Sequence, residues 1–240
     1  MYVNVKPLDK KVHQNLKYAP VKGYRFAEAL PAAVLSHLEM AHASRYYPIV
    51  FLNGGDDKNP WMPHALLTLQ PKKNAFITDD GVWAAGYIPM YVRRYPFILG
   101  RSSEANKFTV MIDESAPQFQ GDKGTPLFDA AGEPGDILKR AIAFLQKYNK
   151  DFEITRLMVQ EIEKNGLLIP MKARGGKDGP EKILAGFRTI DFRKMLKLDD
   201  ATLAGWVRKG IMPMINAHLT SLANFNALAK LQGIRPVPRV

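Results

Sequence analysis

Arg93-Arg94-Tyr95, set between Tyr91 and Phe97, is the most chemically suggestive cluster in the sequence. On an extended strand alternate side chains share a face, so Arg93 and Tyr95 lie together and Arg94 points away. Each face then carries a guanidinium beside aromatic rings, a combination that recognises a carboxylate or another anion through charge, a planar hydrogen-bonding fork and stacking. The plainer reading is an edge strand protected from aggregation by its charges. Alternation predicts one arginine buried and paired, with a ligand or with an acid such as Asp113, and the other in water. Trp83, Tyr87 and Tyr91 recur every four residues and suit a ligand platform or core packing equally. His13 and His218 complete the candidate ligand-binding or structural cluster, and they can join it only through the fold. His218 lies between Ile215 and Leu222 at the edge of an apolar stripe, where a packed or capping histidine is the simpler expectation.

Other chemistries lack their residues. The 240-residue chain has no cysteine, which removes thiolate metal sites, disulfides and cysteine nucleophiles. His37-Leu38-Glu39-Met40-Ala41-His42 resembles a zinc-binding helix, but its histidines are spaced so that they diverge by roughly 140° around a helix of 3.6 residues per turn. No metal and no cofactor are therefore expected. There is no G-x-S-x-G elbow, and Gly175-Gly176-Lys177-Asp178-Gly179 lacks the Gly-Lys-Ser/Thr ending of a phosphate loop.

The formal net charge is +11, and more than half of that excess falls in the last 60 residues, among them Arg188, Arg193, Lys194, Lys197, Arg208 and Lys209. A basic surface attracts polyanions through sequence-independent electrostatics. Recognisable nucleic-acid modules are absent, so nucleic acid is an unlikely partner on composition and motif grounds. No stretch approaches 18 uninterrupted apolar residues, and residues 1–18 carry no signal-type apolar core. The expectation is a cytoplasmic location without a transmembrane segment, surface association by a non-classical export route being left open.

The elements that must position these residues follow from periodicity. A helix is predicted from Pro31 to Tyr47, and a buried strand over Pro48–Leu52. Ala65–Leu69, Asn74–Thr78 and Val82–Ile88 read as strands, the last two joined by the Asp79-Asp80-Gly81 turn. Lys107–Asp113 reads as another strand. From Pro134 the period becomes helical, first to Tyr148 and then in a second helix from Phe152 to Ile162 that stops at Asn165-Gly166. Arg174–Lys182 is predicted to be a polar, mobile loop. Ile183–Ile190 reads as a strand, Asp191 as a helix cap, and the segment from Pro213 to Leu231 as one long helix before an extended tail at 233–240. The fold class is α+β: a mixed or antiparallel sheet from the N-terminal half, helices mainly from the C-terminal half, within a single domain spanning 1–240. Arg45-Tyr46-Tyr47-Pro48 and Arg93-Arg94-Tyr95-Pro96, each followed by three apolar residues, form an internal echo that suggests two strands entered by one local device.

Several of these pieces resemble the SapC family of bacterial proteins. They are RYYPIVF (45–51), DDGVWAAGYIPMYVRRYPFIL (79–99), NGLLIP (165–170), GFRTIDFRKMLKL (186–198) and AHLTSL (217–222), which keep their order across nearly the whole chain. His13, Trp83, Gly86, Pro89, Arg94, Tyr95, Pro96, Asp191 and His218 are the positions that meet the family pattern. The resemblance implies a link to surface-array loci or to nutrient uptake, and it brings no agreed catalytic residues. The leading expectation is thus a cytosolic accessory protein with a protein partner and a possible anionic ligand. Two alternatives stand beside it: a cofactor-independent enzyme assembled from dispersed Arg, Tyr, His and Asp, and a polyanion-binding protein acting through the basic C-terminal quarter.

Overall fold

The computed structural model describes residues 1–54, 61–70, 73–101, 108–121, 123–176 and 182–236. Its residues group into two compact units. The first comprises Met1–Glu28, Ile77–Trp83 and Met90–Lys150; the second comprises Ala29–Phe76, Ala84–Pro89 and Asp151–Val240.

The first unit begins with strand β1 (Val5–Pro7), one helical turn α1 (Lys10–His13) and a short strand β2 (Lys17–Tyr18). Asp9 starts α1 by accepting from the Lys11 and Val12 amides. In the second unit β3 (Ala32–Val34) replaces the first half of the helix predicted after Pro31. Only one helical turn follows it, α2 (Met40–Ala43). The cause is tertiary: Ala32, Ala33 and Val34 pair with Leu66, Ala65 and His64, and this overrides the weak local helix preference. Strand β4 (Ile49–Asn53) follows where expected, and β5 runs from Trp61 to Leu66. The predicted strands over Asn74–Thr78 and Val82–Ile88 reduce to one bridge, Ile77 opposite Trp83. The turn between them does form, with the Gly81 amide donating to Thr78 and φ at Gly81 positive, which glycine adopts without a Cβ clash.

Back in the first unit, Pro89 precedes a single helical turn, α3 (Met90–Arg93), so Arg93 and Arg94 do not lie on an extended strand. Strand β6 (Phe97–Arg101) starts after the Tyr95–Pro96 bond and pairs antiparallel with β7 (Phe108–Asp113), which also pairs with β1. A two-residue strand β8 (Thr125–Pro126) pairs with β2. The buried core here includes Tyr95, Phe97, Ile112, Phe119, Leu127, Leu138 and Leu145.

Helix α4 (Asp136–Lys164) is continuous where two helices are predicted, since neither glycine nor proline interrupts Asn149-Lys150-Asp151. Gly166, at positive φ, follows its end as expected. The remaining elements belong to the second unit. Strands β9 (Leu168–Gly176) and β10 (Lys182–Ile190) form a hairpin, so Arg174–Gly176 are strand rather than loop, and 177–181 lie outside the described residues. The β9–β10 register shifts between Leu184 and Phe187, around Gly186 at φ +92°, the signature of a bulge. Asp191 caps the turn α5 (Phe192–Met195), as expected. An unpredicted helix, α6 (Asp200–Arg208), starts at Asp199, which accepts from the Thr202 amide at 2.8 Å. The single helix predicted after Pro213 is two, α7 (Ile211–Ser221) and α8 (Asn224–Leu231). Strand β11 (Arg235–Pro236) lies within the predicted tail.

The sheets are antiparallel throughout the described pairs, in the orders β1-β7-β6, β2-β8 and β11-β9-β10-β4-β5-β3. Most strands come from the N-terminal half and most helices from the C-terminal half, which makes the fold α+β. The echoed motifs are alike in structure as well. Each copy follows one helical turn, buries its tyrosine and leads into a strand, α2–Tyr47–β4 in one unit and α3–Tyr95–β6 in the other.

Candidate functional site

In the first unit the Arg94 guanidinium sits among three tyrosine rings. Its central carbon is 4.4 Å from the Tyr91 ring centroid, 5.0 Å from Tyr148 and 5.7 Å from Tyr2. The helical turn α3 aims it there, with the Arg94 amide donating to Met90 at 3.0 Å. The Tyr2 hydroxyl donates to the Phe97 carbonyl at 3.1 Å and bonds with the Arg94 side chain. Burial pushes the Tyr2 phenol up to about 12, against the opposing charge of Arg94. The Arg94 Nε is buried without a hydrogen-bond partner, and no described acid pairs with this guanidinium. Arg93 is exposed, its guanidinium 5.9 Å from the Phe144 ring centroid. One arginine is therefore enclosed and the other is not, but helical geometry rather than strand alternation separates them, and the enclosed one faces tyrosines rather than Asp113.

Asp113 is fully used by the fold. It is inaccessible to solvent and accepts from the amides of Val3 (2.9 Å), Asn4 (3.0 Å) and Ser115 (3.1 Å) and from the hydroxyls of Tyr95 (3.2 Å) and Ser115 (2.6 Å). Burial opposes its ionisation, yet the Ser115, Asn4 and Val3 hydrogen bonds hold its carboxyl below the usual range. The Tyr95 phenol is raised by burial and by the Asp113 charge. An array of rings joins two of the predicted residues: Trp83 meets Tyr24 (5.7 Å), Tyr24 meets Phe26 (5.9 Å), Phe26 stacks on Tyr95 (4.3 Å) and Tyr95 meets Tyr2 (5.3 Å). His13 does not join this array. One ring nitrogen contacts Asp9 and the other lies 3.1 Å from Glu114, which also pairs with Lys6 at 2.7 Å.

Tyr87 and His218 belong to the second unit. The Tyr87 hydroxyl donates to Glu39 at 2.9 Å, and its ring stacks on His42 at 5.8 Å. Glu39 is buried and accepts from the Ser36 amide (2.9 Å) and hydroxyl (3.0 Å), the carboxylate half of a Ser-x-x-Glu capping box, with the Glu39 amide donating to the Ser36 carbonyl rather than to the serine hydroxyl. That motif was legible in the sequence and is the signal that could have found Glu39. His218 is inaccessible: Nδ1 donates to the Ile49 carbonyl at 2.8 Å, while Nε2 accepts from the Ile190 amide at 3.3 Å and lies 2.9 Å from the Thr189 hydroxyl. With both nitrogens engaged it packs the core, and burial lowers its pKa to about 4. His37 faces the Thr155 hydroxyl at 3.1 Å. Among the described residues no three His, Asp or Glu side chains group as metal ligands, and no helix is long and apolar enough to cross a membrane.

The second unit also carries an open groove of about 680 Å³ that the sequence reading missed. Ile154, Leu157, Met158 and Glu161 fall on one face of α4, and Lys209 and Ile211 flank the α6–α7 junction opposite, with Gln160 and Lys164 completing the lining. Leu157 is 57% exposed, although Met158 beside it is buried. Lys164 and Lys209 are exposed and have no acid partner among the described residues.

No curated protein and no solved structure matches the chain. A family model does, over residues 8–228, a span that takes in the Arg94 turn, the groove and both Tyr-Pro motifs; the chain belongs to the SapC family.

Proposed function

We propose that this protein is a cytoplasmic accessory protein of a bacterial surface-layer or nutrient-uptake system, and that it acts by docking a partner protein in the groove beside α4. The observation that supports this reading is the groove itself. It combines an apolar floor, an exposed leucine and two unpaired lysines, whereas His13 and His218 are occupied by contacts within the fold. An exposed leucine on a grooved helix face gains about 25 cal/mol for each Å² of apolar surface it buries, so a partner stabilises it. The lysines select the occupant: an amphipathic helix whose apolar side covers Leu157 and whose acidic residues reach Lys164 and Lys209. Arg188, by contrast, is engaged by Glu163 at 3.5 Å and by the Trp61 ring at 4.2 Å, which takes part of the basic C-terminal quarter out of polyanion binding.

A photo-crosslinking residue at position 157, introduced in the native cell, identifies the occupant. The expected product is one acidic amphipathic segment, which as a purified peptide binds the parent and loses at least tenfold in affinity on Leu157→Glu or on Lys164→Glu with Lys209→Glu. A crosslinked peptide indifferent to these changes, or no crosslinked product, overturns the proposal.

A further inference from the structure

The surroundings of Arg94 point to a second site, in the first unit and independent of the groove. A guanidinium carries five N–H donors in one plane and has no way to shed its charge. At Arg94 three rings face the cation, and their negative faces offset part of the cost of burying it. Rings do not satisfy in-plane donors. The Tyr2 hydroxyl meets part of that need, Nε has no acceptor, and no described carboxylate approaches. Asp113 stands close by in the same network but is saturated by Val3, Asn4, Ser115 and Tyr95. The residue as a whole is only half-buried, and since its Nε is covered the exposed part lies elsewhere on the side chain.

We infer that Arg94, walled by Tyr2, Tyr91 and Tyr148, binds the carboxylate of a small organic acid. One fixed guanidinium matches one planar monoanion, and a carboxylate can accept in parallel from the two terminal nitrogens. A phosphate dianion would leave one charge unbalanced and would lose more hydration in entering an aromatic enclosure. The tyrosine walls also suit an acid whose remainder is apolar or aromatic.

The test uses benzoate as probe, with its neutral isostere benzamide and inorganic phosphate for comparison, titrated calorimetrically into the full chain. Benzoate is expected to bind saturably, one per chain, with benzamide and phosphate at least tenfold weaker. The Arg94 Nε–H resonance should move on benzoate addition. Arg94→Met should abolish binding, Arg94→Lys should weaken it at least tenfold by keeping charge without the fork, and Arg140→Ala, an exposed change on α4, should leave it unaltered. If Arg94→Met does not fold, Arg94→Lys and the Nε–H resonance decide alone. Absence of saturable binding, equal affinity for benzamide, or an Nε–H resonance that stays fixed while benzoate binds overturns the assignment.

Discussion

Acid should destabilise this protein through His218 before its carboxylates begin to protonate. The imidazole is held neutral in the fold, with a pKa of about 4 against 6.5 for the free side chain, because burial penalises the cation and Nε2 must accept from Ile190. A base whose folded pKa is lowered binds its proton more readily when unfolded. Its contribution is therefore complete above pH 6.5 and falls progressively from there to about pH 4. At 1.36 kcal/mol per pKa unit the total is about 3 kcal/mol. His64, also lowered by burial, acts in the same direction. Asp113 and Asp199, both lowered, lose their contributions only as pH falls through and below the ordinary carboxylate range, so the histidine window stands clear of theirs. Urea unfolding of the parent and of His218→Gln between pH 7.5 and 4.5 isolates the effect. The variant, less stable at neutral pH, should close the gap with a limiting slope of about 1.4 kcal/mol per pH unit. A gap that stays constant over this range refutes the reasoning, as does an imidazole that titrates near 6.5 by NMR.

Two further outcomes follow from the geometry. Asp113→Ala should destabilise the first unit by about 3 kcal/mol in urea unfolding, because the Val3 and Asn4 amides and the Tyr95 phenol lose their acceptor. Gly186→Ala should cost about 1–2 kcal/mol by the same measurement; the φ of +92° is the whole cause, since nothing lies within 4 Å of an added Cβ.

Local signals carried the sequence reading wherever the chain settles its own structure. The Asn165-Gly166 stop, the Asp191 cap, the Gly81 turn and the strands after each Tyr-Pro pair depend on neighbours in sequence, and all are present. The failures occur where distant partners decide. Ala32–Val34 has the composition of a helix start, yet β5 recruits it as an edge strand. Trp83–Tyr91 has aromatic spacing suited to a strand, yet only Trp83 forms a bridge, and Pro89 leads into a helical turn. The candidate site divides in the same way. Arg94 stood out by residue type, but Tyr2 and Tyr148 come from the start of the chain and from α4, and nothing in the spacing joins them. The groove was hidden for a different reason: Leu157 lies off the buried Tyr148–Thr155–Val159–Ile162 stripe of α4, and a single apolar residue on the other face of a helix is ordinary on a protein surface.

The two Tyr-Pro motifs separate what local sequence builds from what surroundings assign. Both place a tyrosine after a helical turn and before a strand, and both bury it. The phenols then meet different partners: Tyr47 donates to the Tyr87 carbonyl and Tyr95 to the Asp113 carboxylate. The preceding residue differs in chemistry as well. In one copy it is Tyr46, whose hydroxyl lies so close to Gly86 that an added Cβ would displace it. In the other it is Arg94, placed by the same backbone device but enclosed by rings and given no acid. A purely scaffolding role would be met by an aromatic residue, as the Tyr46 copy demonstrates. A guanidinium in the equivalent position adds burial cost and an unsatisfied Nε, and those costs are better explained by an anion that Arg94 receives than by the strand it precedes.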